Sequence, residues 1–221
     1  MKTKILRNIF LSVGVLFASA RLLSAGMNDG VLNFSKTPLV SPQATFITFD
    51  VPGALEAVNG INPAGAITGW YFEANFVGHG FLRAPDGTIT TFDAPGAVNG
   101  TQASGINAAG AITGFYVDAN FLYHGFVRAP DGTITTFDPP GSNGFFTVPE
   151  GINPGGAISG GYFDVNFLTH GFVRAPDGTI APIDVPGSPG ATGATVINPA
   201  GVITGEYFDA SGAAHGFLRI P

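Results

Sequence analysis

From Thr45 onward the chain alternates short runs of apolar and β-branched residues with tight-turn residues, and the stretch Ala57 to Asp93 carries one complete set. Ala57 to Ile61 reads as a first strand. Asn62-Pro63-Ala64-Gly65 follows, with Asn at i, Pro at i+1 and Gly at i+3, the preferences of a type I turn. Ala66 to Phe72 predicts a second strand, Glu73 to Gly78 a looser loop, and His79 to Ala84 a third strand. Pro85-Asp86-Gly87 is a hairpin turn: Pro presets φ and Gly takes the positive φ that closes it. Thr88 to Asp93 is a fourth strand, and Pro95-Gly96 breaks the chain before the next set.

The set recurs. His-Gly-Phe triplets begin at His79, His124, His170 and His215, in steps of 45, 46 and 45 residues. The turns at Asn62, Asn107, Asn153 and Asn198 step by the same amounts. Two markers in one register mean a repeat architecture, and this period suits propeller blades or solenoid coils. The phase separates them. The first repeat element, Thr45 to Asp50, matches a fourth strand, and the sequence given stops just after a third strand. A ring in which the N-terminal strand completes the last blade accounts for both ends and removes exposed edges. An open solenoid would need distinct capping repeats. The expected fold is all-β: a four-bladed β-propeller of four-stranded antiparallel blades over residues 45–221, closed by the N-terminal strand.

Composition supports strands and turns. There are 33 Gly, 17 Pro and 20 Phe, with 45% hydrophobic and only 11% charged residues. That is too apolar for disorder and too poor in charge for a helical bundle. Ahead of the repeats, Lys2, Lys4 and Arg7 precede an apolar run from Ile9 to Phe17 and the small residues Ala18-Ser19-Ala20. This order is that of a signal peptide, residues 1–20, with Leu23-Ser24-Ala25 as a second cleavage site. The run is shorter than the roughly 20 residues of a membrane span. Residues 21–44 read as a linker or N-terminal arm. The expected location is bacterial-type export, to the periplasm or beyond the cell, as a monomer with no membrane span in the mature chain. Cleavage would leave six basic residues against 15 acids, a net charge of −9, which excludes a basic nucleic-acid footprint. No cysteine is present to form a disulfide.

The pattern Gly-Ile-Asn-x-x-Gly, then Gly-x-Tyr, then His-Gly-Phe and a hairpin resembles the HAF-type extracellular repeat of bacterial exported proteins. The resemblance covers Thr45 to the end. It departs at Gly80, Gly125, Gly171 and Gly216, where the family name has Ala, and at Arg83 and its equivalents, where an aromatic is frequent. It implies export and a propeller-like repeat, and brings no catalytic residues.

One His per repeat invites a metal reading. On the third strand, however, each lies roughly 10 Å farther from the axis than the innermost strand, too far for four to share one ion at about 2.1 Å. Counting through the hairpin instead sets His79 opposite Asp93, His124 opposite Asp138 and His170 opposite Asp184, with His215 meeting Asp50 after closure. These are read as structural His–carboxylate pairs. The same register sets Gly80 beneath Phe92 and Gly125 beneath Phe137, a packing device. Arg83, Arg128, Arg174 and Arg219 are expected to pair with carboxylates such as Asp86.

Ligand binding is expected on the longer-loop face. The candidate residues are Trp70, Glu73, Asn75, Phe76, Asp118, Asn120, Phe121, Asp164, Asn166 and Phe167, which combine aromatic faces with acids and amides. They suit a carbohydrate or protein ligand. Asp-x-Asn could offer oxygens to Ca²⁺, but the full calcium-loop pattern is absent, and no cofactor is expected. The functional reading is an exported binding or scaffolding module without a catalytic motif. The alternative is a secreted, glycosidase-like hydrolase using carboxylates such as Glu150 and Glu206, a chemistry that needs two at a set separation.

Overall fold

The computed structural model describes residues 45–221; the expected signal segment and arm lie outside the described residues. Four antiparallel sheets follow one another, each with its strands hydrogen-bonded in chain order. The first blade holds β1 (Ala54–Ile61), β2 (Ile67–Phe72), β3 (Gly78–Arg83) and β4 (Ile89–Phe92). The second holds β5 (Gly100–Ile106), β6 (Ile112–Val117), β7 (Tyr123–Arg128) and β8 (Ile134–Phe137). The third holds β9 (Ser142–Ile152), β10 (Ile158–Asp164), β11 (Thr169–Arg174) and β12 (Ile180–Ile183). The fourth holds β13 (Thr192–Ile197), β14 (Ile203–Phe208) and β15 (Ala214–Arg219). The architecture is a β-propeller of four blades.

Small residues set how closely the strands approach. Gly69, Gly114, Gly160 and Gly205 lie where the first and second strands of each blade pair irregularly. A Cβ on any of them would run into the carbonyl oxygen of Ala57, Gln102, Val148 or Gly193. Gly80 and Gly125 leave room for the rings of Phe92 and Phe137, which a Cβ would meet at 2.6 and 2.8 Å. The triplet phenylalanines Phe81, Phe126 and Phe172 are fully buried at the blade centres.

Three devices join each blade to the next. Phe92 sits edge-on to Phe126 and Phe137 edge-on to Phe172, both with centroids 6.0 Å apart. Leu82, Val127 and Val173 each pack into the apolar cluster of the following blade. A relay of turn asparagines completes the junction: the Nδ2 groups of Asn62, Asn107 and Asn153 donate to the carbonyls of Asn107, Asn153 and Asn198 at 3.2, 3.2 and 3.3 Å. The Oδ1 of the same side chain accepts backbone N–H groups within its own turn, as Asn62 does from Ala64 and Ala66.

The arginine expectation is corrected. Among the described residues no arginine forms an ion pair; Arg83, Arg128 and Arg174 lie over the rings of Phe49, Phe92 and Phe137 at 5.2, 5.2 and 5.0 Å. For Arg128 and Arg174 the preceding blade's fourth strand delivers the aromatic face, and for Arg83 Phe49 does; the weak hydration of a guanidinium suits that contact. Nη1 of each donates to the next residue's carbonyl, at 3.3 Å for Arg83 and Ala84.

Pairing of the N-terminal segment with the last blade is not seen among the described residues. The fourth sheet has three strands, and residues 45–50 carry no strand. Phe49 instead packs on Phe81 at 6.2 Å, beneath Arg83. That is the position Phe92 takes on the second blade, so this segment stands where the fourth strand of a preceding blade would lie.

Candidate functional site

The loops between second and third strands are built around their first acid. The Oδ1 of Asp118 accepts the N–H groups of Asn120 and Leu122 at 2.8 and 2.9 Å, and Oδ2 accepts Nδ2 of Asn120 at 3.3 Å. Asp164 does the same with Asn166 and Leu168, at 2.8, 2.8 and 3.2 Å. The N–H of Leu122 does most to hold the Asp118 carboxyl below the usual carboxylate range, and the N–H of Leu168 does so for Asp164. In the first loop Glu73 is a methylene longer, and Asn75 Oδ1 takes the N–H of Val77 at 3.0 Å instead.

A histidine sits between each loop and the outer strand of its blade. His79 Nδ1 lies 2.9 Å from Asp93, and His124 and His170 Nδ1 lie 2.7 Å from Asp138 and Asp184. A carboxylate only accepts, so Nδ1 carries the proton. On the other side Nε2 lies 3.7 Å from Glu73, Asp118 or Asp164. Each ring also lies against the cross-strand tyrosine, with Tyr116 and His124 centroids 5.1 Å apart. Burial pushes the hydroxyls of Tyr71, Tyr116 and Tyr162 up. His215 differs: its Nε2 lies 3.1 Å from Asp209 of its own loop. The hydroxyl of Ser211, ahead of other donors, holds the Asp209 carboxyl well below the usual range.

The geometry of the loop tips sets the aromatics apart. Phe76, Phe121 and Phe167 have φ of 63, 63 and 61°, a left-handed conformation that costs a non-glycine residue roughly 1–2 kcal/mol. In the fourth repeat the same place is taken by Gly212, φ 81°. Phe76 is 82% and Phe167 64% exposed. Phe76 continues a run of rings through Phe72 to Trp70, with centroids 6.4 and 5.0 Å apart. Phe167 meets Phe145 at 5.9 Å. A second run, Phe115, Tyr123, Phe146 and Phe163, crosses from the second blade to the third at 5.3, 6.0 and 4.7 Å. Sequence reasoning missed Phe145 and Phe146. Their signal is the one extra residue between Asp138 and Ile152, which makes that repeat step 46 instead of 45.

A second concavity of about 250 Å³ lies along the innermost strands. Asn59, Ser104, Glu150 and Thr195, one from each blade, line it among glycine and aliphatic residues. Asn59 Nδ2 donates to the Ala103 carbonyl at 2.7 Å. Glu150 is the cleft's one acid, and burial pushes its carboxyl up to about 7. Glu206 is not among the lining residues; it sits exposed on β14. Among the described residues no three His, Asp or Glu side chains converge on a common point as metal ligands do. No helix of the described residues is long and apolar enough to cross a membrane.

The raised Glu150 pKa has a measurable consequence. The folded carboxyl keeps its proton where the unfolded one, near 4.5, has lost it. The contribution of Glu150 to stability is therefore fully present below about pH 4.5 and falls by about 2 to 3 kcal/mol as pH rises to about 7 and beyond. In urea titrations between pH 4 and 8, Glu150→Gln should remove this decline. A variant that keeps the wild-type decline would place its origin elsewhere.

The chain matches no known protein-family profile and no curated protein. Among solved structures it is similar to a streptogramin B lyase, at 16% identity and a TM-score of 0.45, covering 76% of this chain and 57% of that one. It is also similar to a catalytically inactive virginiamycin B lyase from Staphylococcus aureus with quinupristin, at 17% identity and a TM-score of 0.48, covering 78% and 59%. The chain thus spans less than two thirds of the length of these lyases, and the likeness is one of fold alone.

Proposed function

We propose that this chain is an exported binding propeller that takes a neutral, carbohydrate-type ligand on its loop face. The observation that carries the reading is the conformation of Phe76, Phe121 and Phe167. Each loop keeps a phenylalanine in a backbone position where glycine costs less, as Gly212 does in the fourth repeat. Beyond their contacts with Phe72 and Phe145, the rings of Phe76 and Phe167 keep most of their surface open to a ligand. The hydrogen bonds of Asp118 and Asp164 hold the loops in one shape, so the aromatic tips are preorganised. The leader pattern at residues 1–20 and the resemblance to the HAF-type repeat support export. Net negative charge disfavours anionic ligands.

The test is titration calorimetry with a panel of neutral oligosaccharides. A chain with Phe76, Phe121 and Phe167 all changed to Gly should lose affinity at least tenfold. Its melting temperature should hold or rise, because the left-handed strain is relieved. Unchanged affinity in the triple variant would refute the loop-face site. The hydrolase reading has one favouring observation, the raised carboxyl of Glu150 in the axial cleft, but Glu206 does not join it there. Turnover of a chromogenic glycoside that is lost in Glu150→Gln would favour it.

A further inference from the structure

The cleft along the innermost strands is lined, at one equivalent position of each repeat, by four different polar residues: Asn59, Ser104, Glu150 and Thr195. The two positions that follow repeat almost unchanged, with Gly60, Gly105, Gly151 and Val196 at the first and isoleucine in every repeat at the second. These constant residues set the walls. A Cβ on Gly60 would lie 3.2 Å from Ile106, and one on Gly151 would lie 3.5 Å from Ile197. Neighbouring strands therefore already touch, and close packing keeps the cleft at one width. Packing asks the same of the polar position in every blade, whereas an asymmetric ligand asks something different of each.

The four side chains offer mainly acceptors. Asn59 has committed its amide to the Ala103 carbonyl at 2.7 Å, which leaves its Oδ1 open. Among the described residues the hydroxyls of Ser104 and Thr195 and the carboxyl of Glu150 make no hydrogen bond. No lysine or arginine lines the cleft, and Glu150 is its one acid. One carboxyl among neutral oxygens suits a monovalent cation that donates hydrogen bonds; Ca²⁺ takes about six to eight oxygens, with carboxylates prominent among them. Ile106, Ile152 and Ile197 supply aliphatic walls for a short hydrocarbon body. The volume of about 250 Å³ lies below the roughly 300–1,000 Å³ that drug-sized ligands occupy. We propose that this cleft is a second binding site, separate from the loop face, which takes a small alkylammonium ion with Glu150 as its counter-ion and the Asn59, Ser104 and Thr195 oxygens as acceptors for its N–H groups. Burial alone raises the Glu150 carboxyl to about 7, with no charged neighbour acting on it, so a bound ammonium would draw that value down. An alkylammonium, like the lysine side chain at about 10.4, stays charged throughout this range. Binding below about pH 7 then releases a proton from Glu150, and affinity should fall roughly thirtyfold between about pH 8 and 5.5.

The test is carbon NMR of the full chain labelled at its glutamate carboxyls, with n-butylammonium chloride as the probe and 1-butanol as its neutral counterpart. Glu150→Gln assigns the Glu150 signal by removing it. Saturating butylammonium should lower the Glu150 pKa by at least about one unit, a tenfold linkage, while butanol leaves it in place. Saturation transfer from protein to probe at about pH 8 should show affinity at least roughly tenfold weaker in Glu150→Gln, the loss expected when a counter-ion is removed. The chain with Phe76, Phe121 and Phe167 changed to Gly should bind butylammonium as the wild type does, which separates this site from the loop face. A Glu150 pKa unmoved at about 50 mM butylammonium, well above the millimolar affinity of so small a ligand, overturns the proposal. So does an equal shift with butanol, wild-type affinity in Glu150→Gln, or loss of binding in the loop-face variant.

Discussion

Gly114→Ala should cost the fold about 3 kcal/mol or more, the upper range of overpacking in a close-packed interior. The residue lies in β6, opposite Ala103 of β5, where the two strands pair irregularly. The methyl would run into the carbonyl oxygen of Gln102 and the Cα of Ala103, both backbone atoms. Backbone cannot rotate aside, so β5, the innermost strand of its blade, would have to move away from β6. That shift would also pull Ser104 and its neighbours out of the axial cleft. Gly193→Ala is the matched control, since its Cβ would meet nothing nearer than 4.0 Å and its φ is not left-handed. Urea denaturation should show the large loss for Gly114→Ala and a change within about 0.5 kcal/mol for Gly193→Ala. Equal effects would mean that the tight approach of β5 to β6 is not what the glycine serves.

Phe126→Ala should destabilise by about 3–5 kcal/mol, the usual cost of emptying a buried phenylalanine site. Phe126 is fully buried in the second blade's cluster, edge-on to Phe92 and near Ile112, Tyr116 and Ala103. None of these can collapse into the space without giving up a strand pairing. Phe217 occupies the same place in the fourth blade, in a cluster with Ile183 and Ile203, but it is only half-buried because no strand lies beyond β15. Phe217→Ala should therefore cost roughly half as much. Equal losses would mean the fourth blade is as well covered as the second.

Much of this molecule is legible in its sequence because its rules are local. The Pro-Asp-Gly loop sets the register that places Gly80 opposite Phe92, and counting along that register reaches His79 and Asp93. The His-Gly-Phe spacing sets the number of blades, and the alternation around Gly69 and Tyr71 sets which side of β2 is buried. Each of these depends on a turn of known length or on the two-residue period of a strand, and neither needs distant residues.

What the sequence could not decide depends on contacts between repeats. Asn62 reads as a turn residue, and it is one, but only the neighbouring blade reveals that its amide also reaches the Asn107 carbonyl. Arg83 reads as a surface charge in search of a carboxylate; only the packing of Phe49 gives it a ring instead. Glu150 looks like one of four equivalent strand positions, and its raised pKa comes from being enclosed with the innermost strands of its neighbours. Closure is a question of the same kind. Whether the segment around Phe49 joins the sheet of β15 depends on how far each junction turns the chain, a sum over side-chain volumes at Leu82, Phe92, Phe126 and their equivalents that no local pattern encodes.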